Sequence, residues 1–158
     1  MLFRENDDRR YFELRLDDVV RRFEWSCLAH CLLGTHYHLL VTTRHGNLAE
    51  GMHRLNGLHA QAFNDRHEQF GHVFQGRYHA RLVDAEGHFL ELFRYIALNP
   101  VRAGLCRQPS EWRWSSYASA IGWAAMPPFL DLARVLDLFA RDRRVARARL
   151  RDFVEGPR

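Results

Sequence analysis

The sequence predicts an α+β domain in which a small sheet packs against helices. Residues 6–22 place apolar side chains at helical spacing with charged side chains between them, and this pattern predicts an amphipathic helix. Residues 23–33 and 36–43 are rich in aromatic and apolar strand formers and are separated by Gly34, which predicts two strands joined as a hairpin. A helix followed by a pair of neighbouring strands is typical of α+β proteins.

A second helix and a third strand are predicted after the hairpin. Asn47 with Glu50 three positions later matches a capping box, which predicts the start of a helix. Residues 71–83 read as a loop that leads into a strand, because side chains of different character alternate along the segment. One face of this predicted strand carries Arg77 and Arg81.

A third helix is predicted from about residue 85 to residue 98. Asp84 is a suitable N-cap for this helix. Pro100 disfavours helical backbone at Asn99 and is expected to end the helix there. After an aromatic and basic loop, residues 129–154 predict a final arginine-rich helix or pair of helices.

The predicted order is therefore helix, strand, strand, helix, strand, helix and a helical tail. This order is one strand short of the ferredoxin-like plan, in which a split β-α-β unit is repeated. The lacking strand is the first, which lies in the middle of the sheet in that plan. We therefore expect a ferredoxin-like sheet with helices, without its first strand, followed by a C-terminal helical extension.

Length and hydrophobicity indicate one ordinary domain that is not embedded in a membrane. The chain has 158 residues, of which 47% are hydrophobic, and this is enough for a core. No segment approaches the ~18–20 uninterrupted apolar residues of a membrane span. The charged N-terminal residues lack the apolar segment of a signal peptide. We therefore expect a cytoplasmic protein without a membrane partner.

The charge of the chain favours a nucleic-acid partner. The formal net charge is +4, and all 23 basic residues are arginine. Arginine binds phosphate with two parallel hydrogen bonds and stacks on bases, so an arginine-only basic chain suits nucleic acid. A genome rich in G and C would also favour arginine codons, so the composition alone leaves both explanations open.

Two histidines, a tyrosine and an asparagine form the most informative pattern. His36 and His38 alternate on a predicted strand, so their side chains point to the same face, where two imidazoles can hold one divalent metal. Tyr95 and Asn99 are four apart on a predicted helix and share a face, which supplies a nucleophile and a third possible ligand. The histidines could instead be ordinary polar residues, Tyr95 a core aromatic, and Asn99 only a helix-terminal residue.

Arginines and aromatics together suggest two surfaces for DNA. Aromatic side chains interleaved with arginine suit stacking on the bases and contact with the phosphates of single strands or hairpins. The first surface consists of Arg77, Tyr78, His79 and Arg81, and the second consists of Arg102, Trp112, Arg113 and Trp114. The tryptophans could equally pack the C-terminal tail against the sheet.

The cysteines allow a different type of site. The chain contains three cysteines, an odd number without a disulfide framework. Cys27 and Cys31, with His30 between them and His36 nearby, could form a zinc module. Both cysteines could equally be small apolar residues inside the sheet.

Five motifs in the same order resemble a known family. Together they span nearly the whole chain, and five in order are far more specific than the common His-x-His pattern alone. The motifs are residues 2–9, 36–41, 71–78, 94–104 and 112–117. They resemble the REP-associated tyrosine transposases, within the IS200-like superfamily of HUH endonucleases.

The resemblance implies metal-dependent cleavage and joining of single-stranded or hairpin DNA through a 5′-phosphotyrosine intermediate. By this resemblance, Tyr95 is the nucleophile, while His36, His38 and Asn99 hold Mg²⁺ or Mn²⁺. The implied partners are repeated palindromic DNA elements and a possible second copy of the chain, and the implied location is the nucleoid. Leu33, Gly34 and Thr35 differ from the tripeptide that usually precedes the first histidine in the family.

The resemblance also implies how the chain is divided, and two alternative functions remain open beside the enzyme. Residues 1–104 correspond to the catalytic domain, and residues 105–158 are an aromatic and basic loop with a helical extension of the same domain. The first strand of the family is expected to be missing. A non-catalytic DNA- or RNA-binding relative and the zinc module remain the alternatives.

Overall fold

The computed structural model describes residues 1–83 and 86–157 and confirms an α+β architecture. A two-stranded antiparallel sheet is surrounded by helices. The elements are α1 (Asn6–Arg22), β1 (Trp25–Leu32), β2 (Tyr37–Thr43), α2 (Leu48–Arg66), α3 (Glu86–Arg102), a 3₁₀ helix (Pro109–Glu111), α4 (Tyr117–Ala120), α5 (Ala133–Asp137) and α6 (Arg143–Glu155). No helix in the described residues is both long and apolar enough to cross a membrane.

Helix α1 has the bounds that its apolar spacing predicts. Phe12, Leu16 and Val19 are fully buried because they recur on the face that meets the sheet and α2. The carboxylate of Asp8 accepts hydrogen bonds from the backbone N–H of Arg4 (2.8 Å) and Glu5 (3.0 Å). These bonds satisfy backbone donors at the start of the helix, which have no partners within it.

The two strands pair as the sequence predicts, with a register irregularity between Cys27 and Ala29. Strand β1 is almost entirely buried, because helices or loops cover both faces and its outer edge. At that edge, Leu32 N–H donates to the carbonyl of Trp114, at 2.8 Å, and Asp131 N–H donates to the carbonyl of Cys27, at 2.7 Å. The C-terminal segment therefore occupies the position of a neighbouring strand beside β1.

Helices cover opposite faces of β2. Tyr37 points towards α1 and α2, where its hydroxyl donates to Asn56 Oδ1 at 2.6 Å and its ring lies 4.7 Å from that of Phe12. His38 is the next residue and therefore points to the other face, where it meets Tyr95 of α3. This alternation brings α3 against the histidines.

The predicted strand within residues 71–83 is wrong. The segment contains no strand and is mostly exposed, and Gly71 has a positive φ of 101°. Strand propensity is realised only when a neighbouring strand pairs with the segment, and this one instead lies along α2, where it lines a groove. The described sheet therefore has two strands, and the expectation of a missing first strand stays a prediction.

The predicted end of α3 at Asn99 is also wrong, because the helix continues through Pro100 to Arg102. Proline removes one N–H donor, but the carbonyls of Asn99 and Pro100 still accept from Ala103 and Leu105, at 2.9 Å each. Only the last turn follows the proline, so one missing bond is tolerated. The predicted N-cap, Asp84, lies outside the described residues.

The capping box predicted at Asn47 does not form, although α2 begins at the next residue. The Asn47 side chain instead accepts a hydrogen bond from Trp25 Nε1 and donates one to the carbonyl of Phe23, both at 2.9 Å. These long-range bonds compete with the local cap and attach the start of α2 to the start of β1.

Candidate functional site

His36 and His38 lie side by side at the start of β2. His36 immediately precedes the strand and is exposed, whereas His38 is half-buried. Their ring centroids are 5.1 Å apart and the rings are nearly perpendicular. His36 Nδ1 is 3.0 Å from the hydroxyl of Thr35, which holds the ring from the side of the preceding turn. The two imidazoles therefore lie together on one face of the strand, as their spacing predicts.

The surroundings of His38 favour its neutral form. Burial lowers the pKa of His38, the neighbouring charge of His36 lowers it further, and a hydrogen bond with the Asn99 side chain opposes both effects. His38 Nε2 is buried and has no hydrogen-bond partner in the described residues. A neutral imidazole with a free ring nitrogen is the form that binds metal ions.

Tyr95 meets this pair from α3. Its ring centroid is 5.5 Å from that of His38, and 41% of its surface is exposed. Phe93 and Ile96, its neighbours along the helix, are buried on the core face instead. Tyr95 is therefore on the edge of the core rather than within it, where a phenol could reach a substrate.

Asn99 completes the group one helical turn later. Its side-chain Nδ2 donates to the carbonyl of Tyr95 at 2.9 Å, and its side chain also contacts His38. Only 8% of its surface is exposed. Asn99 is therefore more than a helix-terminal residue, because its amide joins the helix of Tyr95 to the strand of His38.

Arg102 covers the Tyr95 ring, which the sequence did not predict. Its guanidinium carbon is 5.0 Å from the ring centroid, and it forms no ion pair in the part of the chain that the structure describes. A guanidinium over an aromatic face is attracted electrostatically by the ring. Arg102 thus belongs next to the proposed nucleophile as well as to the predicted DNA surface.

The donor set fits a small divalent cation with open positions. His36 and His38 offer ring nitrogens and Asn99 offers an amide oxygen. The buried Nε2 of His38 has no hydrogen-bond partner in the described residues, so its lone pair is available to a cation. The described residues contain no group of three or more His, Cys, Asp and Glu side chains placed to hold a metal. The remaining positions of a bound ion would therefore belong to solvent or substrate oxygens.

The lack of any metal-binding group of His, Cys, Asp and Glu side chains in the described residues also argues against the zinc module. Cys27 and Cys31 are buried, and burial raises the pKa of each thiol to about 12, which disfavours the thiolate that zinc requires. His30, between them, has its Nε2 3.1 Å from Glu13 Oε1 instead of pointing towards a shared ion. The described residues thus support the alternative in which both cysteines are apolar core residues.

The first predicted DNA surface is exposed but has a different shape from the predicted strand face. Arg77, Tyr78, His79 and Arg81 are all solvent-accessible in an irregular segment. Arg77 and Tyr78 line a groove of about 650 Å³ against α2, together with His53 and Asn56. The surface can therefore contact a ligand, although it has no strand alternation.

In the second predicted surface, the tryptophans pack against other elements, whereas Arg113 is exposed. Trp114 is buried and donates from Nε1 to Asn6 Oδ1 at 3.2 Å, while Trp112 donates from Nε1 to the carbonyl of Leu32 at 3.0 Å. Arg113 is exposed, with its guanidinium 4.6 Å from the Trp114 ring centroid. The tryptophans thus pack the tail against the sheet and α1, as the alternative predicts, with Trp114 buried and Trp112 half-buried.

Comparisons with known proteins identify the family of this chain and a solved structure with a similar fold. The family model described as "Transposase IS200 like" matches residues 2–99, which is more than half of the chain. The fold is similar to the solved structure of a REP-associated tyrosine transposase bound to a REP hairpin, with a TM-score of 0.66 and 17% sequence identity. The similarity covers 81% of this chain and 77% of that one. A search of curated proteins found no significant match.

Proposed function

Because this chain belongs to the family of IS200-like transposases, we propose that it cleaves and rejoins single-stranded or hairpin DNA through a covalent bond to Tyr95. The observation that carries this proposal is the meeting of the Tyr95 ring with the His36–His38 pair, from different elements. A tyrosine beside a histidine pair that could hold a divalent metal suits attack on a phosphodiester better than simple binding of DNA.

In the proposed reaction, the Tyr95 oxygen attacks the scissile phosphorus and the 3′-oxygen of the preceding nucleotide leaves. The products are a 5′-phosphotyrosine and a free 3′-hydroxyl, so the number of phosphoester bonds is unchanged and a 3′-hydroxyl can reverse the step. A phenol is a weak nucleophile until it loses its proton. The leaving 3′-oxygen takes up a proton, so the step is balanced. The guanidinium of Arg102, over the Tyr95 ring, would stabilise the charge on the scissile phosphate during the attack.

His36, His38 and Asn99 would hold Mg²⁺ or Mn²⁺ beside the phenol. The ion would supply Lewis-acid stabilisation of the charge on the scissile phosphate. The residues themselves orient the site, since the bond from Asn99 to the Tyr95 carbonyl and its contact with His38 keep helix and strand in register. Arg102 would contact a DNA phosphate beside the phenol, and Arg113 would contact phosphates outside this centre.

The proposed substrate is a repeated palindromic DNA element that folds into a hairpin. The similar structure contains a REP hairpin, and this chain has a net charge of +4 with exposed arginines at positions 77, 81 and 113. We expect a location on the nucleoid in the cytoplasm, and a second copy of the chain as a possible partner. Target sequence would be read by contacts with the unpaired and hairpin bases.

The test is formation of a covalent adduct. Incubation with hairpin single-stranded DNA and Mn²⁺ should give a protein–DNA band that survives denaturation, and Tyr95→Phe should abolish it. Tyr11→Phe, a half-buried tyrosine on α1, is the matched control and should leave the band unchanged. An adduct that persists in Tyr95→Phe would reject this nucleophile. Tight hairpin binding without any adduct would favour the non-catalytic alternative.

A further inference from the structure

One edge of the two-stranded sheet is covered, whereas the other is open. On the covered side, Leu32 of β1 directs its backbone outwards, and its N–H donates to the Trp114 carbonyl at 2.8 Å. The register pairs Leu32 with Tyr37, so the backbone N–H and C=O of Tyr37 point away from β1. Those of Leu39, two residues later, point the same way. The described residues contain no hydrogen-bond partner for these backbone groups of β2.

Strand β2 also lacks the usual protection of an exposed edge. Natural proteins prevent pairing at such edges with charged residues, proline or a bulge on the edge strand. The segment Tyr37–Thr43 contains no proline and no Asp, Glu, Lys or Arg, and the irregularity of the sheet lies on β1, between Cys27 and Ala29. Strand β2 is therefore competent to pair with a further strand.

The groove of about 650 Å³ along α2 adjoins the same strand. Asn56 lines this groove, and its Oδ1 accepts the hydrogen bond from the Tyr37 hydroxyl, so the groove reaches the start of β2. Met52, Val73 and Phe74 give it apolar walls. An extended segment paired with β2 would thus have apolar surface available for the side chains that point towards α2.

The charge of the groove favours an acidic occupant. Its basic lining residues are His53, His72 and Arg77, whereas no Asp or Glu lines it in the described residues. Arg77 forms no ion pair in the part of the chain that the structure describes. A carboxylate carried into the groove would therefore meet an unpaired guanidinium.

We propose that the open edge of β2 and the adjoining groove bind an extended, apolar and acidic segment of another polypeptide chain, which pairs with β2 as a third strand. Its backbone would bond to Tyr37 and Leu39, its alternate apolar side chains would enter the groove, and a carboxylate would meet Arg77. Backbone hydrogen bonds give affinity in this type of recognition, and pockets for alternate side chains give specificity. A DNA strand could also meet Arg77, but it offers no alternating N–H and C=O groups to the strand edge.

The experiment uses the whole protein without DNA or metal, so its outcome is independent of the proposed function. The probe is a fluorescent peptide of eight residues with blocked ends, in which valine alternates with glutamate and threonine. Two further peptides carry N-methyl groups on alternate residues, so that each cannot donate along one of its edges. The parent peptide should bind saturably, and one N-methylated peptide should bind about 10-fold more weakly. Absence of binding, or equal Kd values for the three peptides, would overturn the inference.

A variant that fills the groove assigns the binding to this place. Gly57 lines the groove, and a side chain at this position starts in open space, with no atom within 4 Å of its first carbon. Gly57→Leu should therefore fold normally and weaken peptide binding by about 10-fold, because the peptide would be overpacked against the new side chain. Gln61→Leu, at an exposed position of α2 outside the groove, is the matched control and should keep the Kd. Equal affinity in the two variants would overturn the inference.

Amide hydrogen exchange gives a second readout that locates the new hydrogen bonds. Peptide binding should slow the exchange of the Tyr37 and Leu39 amides, which have no partner in the described residues. The Leu32 amide, which already donates to Trp114, should change little and is the internal control. Protection confined to residues outside β2 would overturn the inference. Sedimentation of the protein alone should show a monomer, and a dimer paired through β2 would instead assign the edge to a second copy of the chain.

Discussion

At the scale of single residues, the site contains side chains whose contacts cannot be predicted from their position in the sequence. Asn99 precedes a proline and looks like a helix terminus, yet its amide donates to the Tyr95 carbonyl and contacts His38. Arg102 looks like one more basic surface residue, yet it lies over the Tyr95 ring. The i, i+4 spacing predicted that Tyr95 and Asn99 share a face, but it could not show which strand they meet.

His36→Ala should weaken Mn²⁺ binding strongly, because it removes one of the two imidazoles of the proposed site. Titration calorimetry of the purified protein with Mn²⁺ measures this directly and requires no DNA. His45→Ala is the matched control, because His45 is another exposed histidine, next to Glu24 and outside the site. Equal Mn²⁺ affinity in the two variants would contradict the metal assignment.

Arg102→Gln should slow adduct formation by about 10-fold or more, because it removes a cation that would stabilise the charge developing on the scissile phosphate during the attack. Arg102→Lys should recover part of this rate, since it keeps the charge without the planar group. Single-turnover kinetics at saturating hairpin DNA separate this effect from weaker DNA binding. An unchanged rate at saturation with a raised Kd would instead assign Arg102 to DNA contact alone.

At the scale of elements, α2 approaches β1 closely at a glycine, and the sequence pattern does not predict this contact. Gly51 of α2 packs directly against the Trp25 indole, and a methyl group there would meet the ring. Gly57 lies on the same helix, and a methyl group at this position has no neighbouring atom within 4 Å. Replacing the two glycines by alanine should therefore change the stability of the fold in opposite directions.

Gly51→Ala should destabilise the fold by ~1–2 kcal/mol, since overpacking costs ~1–3 kcal/mol and exceeds the gain of roughly 1 kcal/mol in helix propensity. Gly57→Ala should be neutral or stabilising by up to ~1 kcal/mol, because only the propensity changes. Urea unfolding gives both values. Destabilisation of the same size in both variants would show that helix α2 needs flexibility rather than room for Trp25.

Asp8 connects two elements through a depressed carboxyl pKa. Burial raises the pKa of Asp8, but hydrogen bonds from Glu5 N–H, the His67 side chain and Arg4 N–H outweigh it, so the pKa lies below its ordinary value. His67 Nε2 is 2.9 Å from Asp8 Oδ1, which attaches the start of α1 to the end of α2. A charged Asp8 therefore stabilises both helix ends.

A carboxyl group with a depressed pKa stabilises the fold above its unfolded pKa of about 3.9, and this contribution is lost as pH falls through its folded value. Asp8→Asn should therefore cost ~2 kcal/mol at pH 7 and flatten the stability curve below about pH 4. Urea unfolding across this range measures both effects. Asp7→Asn, its exposed neighbour, should cost at most ~1 kcal/mol. Parallel pH curves for Asp8→Asn and the unmodified protein would contradict the role.

At the scale of the whole molecule, the C-terminal third of the chain supplies part of the sheet's environment. Trp114, Ser116 and Asp131 exchange backbone hydrogen bonds with the outer edge of β1. Tyr117 and Leu150 are fully buried in the same core as α1 and β1. The described part of the C-terminal extension, residues 105–157, is thus joined to the described residues before it by hydrogen bonds and a shared core.

A fragment ending at Gly104 should therefore fail to fold. Removing residues 105–158 would leave the β1 carbonyls of Cys27 and His30 and the Leu32 N–H without partners and would expose an apolar edge, which promotes aggregation. Circular dichroism and size-exclusion chromatography of the fragment are the measurements. A monomeric, cooperatively folded fragment would show that the boundary at residue 104 separates independent domains.

The sequence by itself determined what depends on neighbouring residues: the bounds of α1, the β1–β2 hairpin, the shared face of Tyr95 and Asn99, and the family. Only the tertiary structure decided that residues 71–83 form no strand and that Asn47 bonds to Trp25 instead of capping its own helix. It also placed Arg9 against Trp112 and the C-terminal segment against β1. The local periodicity of the sequence indicates which face of a helix or strand is apolar. The hydrogen-bond partners of a strand edge or of a buried polar group depend on residues far away in the chain, which a local pattern does not contain.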